Sequence, residues 1–487
     1  MLIFPPLLHV KHVDPMVCPP LGIGYLAAHI RDGVEVKLLD ALVEAPYKNK
    51  PYSKEMILVG LSFEDIIAQI KEYKPDLVGI SCIFTSQFIS VVALAKLIKE
   101  QVDPEIVIVT GGTHPSFLPE RSLNESIADY IILGEGEITF KELINVHNQN
   151  GKIENLDGIA FRDNGAIRIN KRINYIQDLD SLPFPARDLL PMEKYFEVNM
   201  PMALHWRKRR NTSIITSRGC PYHCTFCSST VHWGNRYRYR SPDNVLSEIQ
   251  LLKDDFGVEE LKFQDDNFSL PRWRIEAILK GMIDRHLAMP WNTPNGVAIW
   301  TFDEDLIKLM KQSGCFEITL SIESGDPYVL KNIIKKPLDL KKAKEISRLL
   351  RKYKISTYGY FILGLPGENM GNIRNTISFA NELKLDYAIP FIYNPLPGST
   401  LFDTCIEKGY LKKDFDPGNV STYYSTGINS DEFDLSELTK LQKRTYFSTL
   451  LHMPFRNPRL FIDYYLKLFL TRPNFLKTLW KHLCSAV

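Results

Sequence analysis

SRGCPYHCTFCSS, residues 217–229, puts Cys220, Cys224 and Cys227 within eight positions of a 487-residue chain that has only eight cysteines. The other five, Cys18, Cys82, Cys315, Cys405 and Cys484, are scattered singly. Scattered thiols are not a disulfide framework, so a reducing cytoplasm is expected and the cluster reads as a metal site. A structural zinc ion takes four ligands, usually Cys or His. The nearest fourth candidate, His223, adjoins Cys224, and neighbouring side chains seldom both reach one ion. Three thiolates instead suit a 4Fe-4S cluster with one iron left open to a substrate or cofactor.

Working outward, the cluster directly follows an apolar run, TSIITS (212–217). Five more such runs come after it: ELKFQDD, WNTPNGVA, FEITLSIES, STYGYFILGLPGE and YAIPFIYNPLPG. Helical segments such as PDNVLSEIQLLKDDF (242–256) lie between them. Six strands in strict alternation with helices predict a partial (β/α)6 barrel over 206–430, with its chemistry at the C-terminal strand ends.

Residues 1–150 alternate in the same way. Short apolar strands such as PDLVGISC and EIVIVTGG are spaced by LGIGYLAAHI, FEDIIAQIKEY and ISVVALAKLIKE. The pattern predicts a doubly wound parallel sheet that binds a ligand at the strands' carboxyl ends. Those ends are small, hydroxylic or Gly-rich and carry Thr85, Gly111, Gly112, His114, Gly134, Glu135 and Gly136. Residues 151–205, with the proline-rich LPFPARDLLP, read as an irregular linker.

Residues 431–487 read as a short helical C-terminal region. From Met453 onward they hold six Lys/Arg against one acid, Asp463, and are rich in aromatics. Packing on the barrel and peripheral contact with a membrane are both open there. The whole chain has 59 Lys+Arg against 57 Asp+Glu, which excludes a broad basic field for nucleic acid. No apolar run reaches the roughly 18 residues of a membrane span. The proline-broken start MLIFPPLL, without a basic flank, is not read as a signal peptide.

The stretch RGCPYHCTFCS resembles the signature of the radical S-adenosylmethionine enzymes. FQDDNFSL, SIESGDPYVLKNIIKK, FILGLPGE and PLPGSTLFD are similar to the family's later strand motifs, and the N-terminal part resembles the cobalamin-binding domain fused to one branch. The resemblance implies that Cys220, Cys224 and Cys227 hold three irons while S-adenosylmethionine chelates the fourth. It implies that Asp265, Asp266, Asn267, Asn295 and Glu323 meet the methionyl or ribose part of that cofactor, and that Gly364 and Pro366 shape its adenine pocket. No catalytic side chain beyond the cluster ligands is expected.

Cobalamin is implied for the N-terminal domain, but without the D-x-H-x-x-G motif whose His ligates cobalt. Among eleven histidines only His286 follows an Asp at that spacing, and Met289 stands in place of the Gly. The implied activity is methylation of an unactivated carbon. A ring-forming cyclase is the alternative, and a corrinoid carrier without catalysis is the alternative of another class. A methylthiotransferase would need a second cysteine cluster in the N-terminal domain, where only Cys18 and Cys82 stand. The expected partners are a small-molecule substrate, lipid-like or tetrapyrrole, and an electron donor such as flavodoxin or ferredoxin.

Overall fold

The computed structural model describes residues 1–10, 15–53, 56–149, 151–202, 205–417 and 427–463. The chain divides into two compact units, Met1–Met202 with Ser229–Arg240, and Ala203–Ser228 with Ser241–Val487.

In the first unit five strands run parallel in the order Leu38–Asp40, Leu2–Phe4, Leu77–Ser81, Val107–Gly111, Tyr130–Ile132. They are apolar on both faces because helices cover both. Val78, Ile80, Ile108 and Ile131 are all buried, packed with Val91, Leu94 and Ile98 of the helix Phe88–Gln101. The loops at the carboxyl ends hold the small residues singled out above.

Two features depart from the sequence reading. Residues 151–205 are no irregular tether. Ile159–Asp163 and Ala166–Asn170 form a hairpin that extends the sheet antiparallel. Its turn is Asn164-Gly165, with φ of 48° and 85°, the left-handed pair that a two-residue hairpin loop requires. The proline-rich segment after it lies on the helix Leu21–Ile30: Ala186 N–H donates to Gly24 O at 3.0 Å, and Arg31 grips Asp188 through two bonds. Secondly, Leu7–Val10, Met56–Val59 and Asn49–Pro51 make a small antiparallel sheet of their own.

In the second unit the six strands Asn211–Ile214, Glu260–Phe263, Trp291–Val297, Cys315–Glu323, Ser356–Leu363 and Tyr387–Ile392 pair in sequence order, all parallel. Each is followed by helix, so every crossover returns the chain to the same end of the sheet. This is the expected six-stranded open barrel. The helix Leu435–Arg456 packs on the sixth strand, where Gln442 and Tyr446 both donate to Pro390 O. Most of the basic, aromatic tail lies outside the described residues. Among the described residues no helix is long and apolar enough to cross a membrane.

Candidate functional site

The cysteine loop leaves the carboxyl end of the first barrel strand. Cys220, Cys224 and Cys227 are all half-buried, and none is in a disulfide. The loop is anchored at its centre. Thr225 N–H donates to Ile334 O at 3.0 Å, its hydroxyl to Ile333 O at 2.7 Å, and its carbonyl accepts from Leu401 N–H at 2.9 Å. Ile333 and Ile334 belong to a π-helical turn, Val329–Ile334, a rare form that concentrates at functional sites. Tyr222 in the loop accepts from Trp300 Nε1 at 2.9 Å, ring edge to ring face. Phe226 packs on the core around Leu363 and Ile392.

Burial pushes the thiols of Cys220 and Cys224 up to about 11. A bound cationic centre reverses that, since coordination is to the thiolate. Among the described residues no three Cys, His, Asp or Glu side chains converge on a single ion. A cluster needs no such convergence, because each thiolate takes a different iron. The donor set therefore fits a cluster.

At the second strand's end the expected cofactor residues separate. Asp265 is buried, and its carboxylate is taken up by its neighbours. It accepts from Thr216 N–H at 2.7 Å, Thr216 Oγ1 at 3.1 Å, Ser217 Oγ at 2.8 Å and Ser217 N–H. Burial pushes its carboxyl up against the pull of Arg274 and these donors. Asp265 thus holds the strand-to-loop turn. Asp266 is exposed, and its charge adds to the burial that raises the Cys220 thiol. Asn267 is buried and accepts from Ser269 Oγ at 2.9 Å. None of the three caps the following helix, which begins at Arg272. Asn295 turns its amide to Gln264 O at 2.7 Å.

Glu323, closing the fourth strand, has φ of +66°. That conformation is strained for a residue with a Cβ, and such strain clusters at functional sites. Its carboxylate meets Lys336 Nζ at 3.1 Å, with both side chains buried. Lys336 lies 5.7 Å from the Trp300 ring centre and lowers the thiols of both Cys220 and Cys224. Lys336 was not foreseen: in the sequence it is one lysine of a lysine-rich run. At the fifth strand's end Gly364 has φ of 79°, and a Cβ there would lie 2.8 Å from Leu438. Pro366 is buried beside it. Glu368, also unforeseen, accepts from Gly364 N–H at 2.7 Å and Leu365 N–H at 3.0 Å.

In the first unit, Thr85, Gly111, Gly112 and Gly134 do gather at adjacent strand ends. Gly112 has φ of 114°, and a Cβ would stand 2.7 Å from Cys82 O. Ser116 Oγ ties two of the loops together, donating to Gly112 O at 2.6 Å and accepting from Gly134 N–H at 2.9 Å. Ile83 and Phe84 are exposed in the first loop, giving this edge an apolar, small-residue surface that suits a flat corrin. The other three expected residues have partners inside the unit. His114 is buried with its ring 4.3 Å from that of Phe88. Glu135 is buried in an ion pair with Arg238 at 2.7 Å and accepts from Ile176 N–H. Gly136 makes room for Leu26, which a Cβ would meet at 3.1 Å.

Comparison with known proteins bears on both units. The B12 binding domain family matches residues 10–144, and the Radical SAM superfamily matches residues 214–380. A cytidylyl-2-hydroxyethylphosphonate methyltransferase of Streptomyces wedmorensis is 35% identical over 431 residues, 82% of this chain and 80% of the relative. The chain belongs to the cobalamin-binding-domain radical S-adenosylmethionine enzymes. Members of this family with another named activity are also similar. An anaerobic magnesium-protoporphyrin IX monomethyl ester cyclase of Rubrivivax gelatinosus is 27% identical over 90% of this chain and 75% of its own. The structure of the radical S-adenosylmethionine methyltransferase TsrM from Kitasatospora setae, with cobalamin and a 4Fe-4S cluster bound, superposes with a TM-score of 0.66 at 18% identity. It covers 84% of this chain and 74% of that one, and shows the fold is shared.

Proposed function

We propose that this radical S-adenosylmethionine enzyme is a cobalamin-dependent C-methyltransferase. Support comes from one observation above the rest: the chain spans 80% of a methyltransferase at 35% identity, with an anchored three-thiol loop in one unit and a small-residue strand edge in the other. When bound, the cluster and S-adenosylmethionine supply a carbon-centred radical, and cobalamin supplies a methyl group.

This chain's own residues hold and enclose those groups. Cys220, Cys224 and Cys227 bind iron, and Thr225 fixes their loop. Asp266 and Glu323 are the acids placed to accept from the ammonium of S-adenosylmethionine, with Lys336 opposite Glu323 to balance the charge. Thr85, Gly111, Gly112 and Gly134 offer backbone approach to the corrin, and no His ligand to cobalt is assigned. The substrate is a small molecule of lipid-like or tetrapyrrole character. The named activity of the cyclase relative supports that class, as does the exposed row Phe447, Leu451, Phe455 on the C-terminal helix, suited to a membrane surface. A cytoplasmic location belongs to the same proposal, because thiols kept for a cluster need a reducing compartment.

The test is turnover with methyl-labelled S-adenosylmethionine, counting products. Methyl transfer gives S-adenosylhomocysteine and 5′-deoxyadenosine in about equal amounts, with label on a substrate carbon. Conversion with 5′-deoxyadenosine and no label in the product overturns the methyltransferase reading in favour of the ring-forming one.

A further inference from the structure

A cluster that delivers an electron must first receive one. The surface beside the cysteine loop has the character of a landing site for the carrier. Residues 327–344, PYVLKNIIKKPLDLKKAK, hold six lysines against a single acid, Asp339, in a chain whose net charge is only +2. A lysine-rich run is ordinarily a solvated face. The fold gives it a shape and a place. Lys331, Lys335, Lys336 and Lys341 line one groove together with Leu330 and the acid Asp339. The groove is built on the π-turn whose Ile333 and Ile334 carbonyls receive the two hydrogen bonds from Thr225. The backbone that carries the lysines is therefore in direct contact with the cysteine loop, between Cys224 and Cys227.

The lysines divide by role. Lys336 is buried against Glu323, Lys342 pairs with Glu345 and Lys344 with Glu382. Lys331, Lys335 and Lys341 are exposed, and among the described residues none of the three enters an ion pair. Pro221 and His223 of the cysteine loop are exposed as well. Three exposed cations outside any ion pair thus stand on the segment whose backbone holds the cysteine loop. Positive surfaces of this kind accelerate encounter with acidic partners and leave the bound chemistry alone.

We infer that the groove bearing Lys331, Lys335 and Lys341 docks an acidic one-electron carrier protein of the flavodoxin class. The inference rests on the cluster assignment above. The step is a single electron passing from the reduced carrier to the oxidised cluster. The carrier loses one electron, the cluster gains one, and no bond is made or broken.

The experiment uses full-length protein with a reconstituted cluster, comparing wild type with Lys331→Glu/Lys335→Glu/Lys341→Glu. Iron content and visible absorption are measured first. A wild-type protein that takes up no iron overturns the cluster reading and this one with it. Cluster reduction is then followed by stopped-flow with flavodoxin hydroquinone over a range of salt, and in parallel with dithionite. The expected result is that the variant keeps wild-type iron but is reduced by flavodoxin at least about tenfold more slowly at low salt, within the usual range for electrostatic steering. The gap should close as salt rises, while the dithionite rates stay within about twofold of each other. Equal flavodoxin rates overturn the proposal. So does an equal slowing with dithionite, because the charges would then act on the cluster itself.

Discussion

At the scale of single residues, the burial of Glu368 makes a measurable prediction. One carboxylate oxygen accepts from Gly364 and Leu365 N–H, while the other is buried with no hydrogen-bond partner among the described residues. Burial pushes the carboxyl from 4.5 up to about 7. A raised carboxylate binds its proton more tightly folded than unfolded. Its stability contribution is therefore present at low pH and lost as pH climbs from about 4.5 to 7. Glu368→Gln keeps an oxygen for the two N–H groups and cannot ionise. The variant should show a flatter stability profile over that window and exceed wild type at pH 8 by up to about 3 kcal/mol. Thermal midpoints measured across the window check this, and parallel profiles would refute it. The same scale shows why sequence found only part of the site. The three cysteines are covalent near-neighbours, so their spacing is visible. Glu135 with Arg238, and Asp265 with Thr216, meet across 103 and 49 residues. Which acid is spent on packing and which is left for a ligand is decided by those distant partners.

At the scale of elements, legibility followed local chemistry. The helices Leu21–Ile30, Phe63–Tyr73 and Pro242–Phe256 stand where the pattern of apolar residues puts them. Ser62 and Ser241 cap the latter two and Gly257 ends the last, all local signals. The fifth barrel strand stops at Leu363 rather than running through GLPGE, because Gly364 turns into the left-handed region. The hairpin at Asn164-Gly165 was legible in principle, but its outer strand has no fully buried residue and lacks the apolar run of its neighbours. The loop at Gly112 is the element most open to test. An added Cβ there meets Cys82 O at 2.7 Å in a backbone conformation that side chains resist, whereas at neighbouring Gly111 the nearest contact is 3.4 Å. Gly112→Ala should cost about 1–3 kcal/mol and weaken cobalamin binding, with Gly111→Ala much milder in both. A cobalamin titration beside a melting curve reads the pair. Equal behaviour of the two variants would remove Gly112 from the corrin edge.

At the scale of the whole molecule, two cofactor sites are assigned to two units that are each compact. Every residue assigned to iron lies in the second, and every residue assigned to the corrin lies in the first. Each unit has its own sheet and its own buried core. The cysteine loop is pinned through Thr225 to main-chain groups of its own unit, so removing its thiols should leave the first unit's strand edge intact. Cys220→Ala/Cys224→Ala/Cys227→Ala should therefore lose essentially all reconstituted iron and the visible absorption that goes with it. It should still bind cobalamin with an affinity within about twofold of wild type. The bound corrinoid carries a second signature. With no D-x-H-x-x-G motif, and with His114 packed on Phe88, the paramagnetic reduced cobalt should show no nitrogen splitting from an axial imidazole. Iron retained by the variant would overturn the thiol assignment, and cobalamin lost together with iron would show that the two sites are one. An imidazole splitting would mean that one of the chain's histidines reaches cobalt after all, and histidine-by-histidine replacement would then find it.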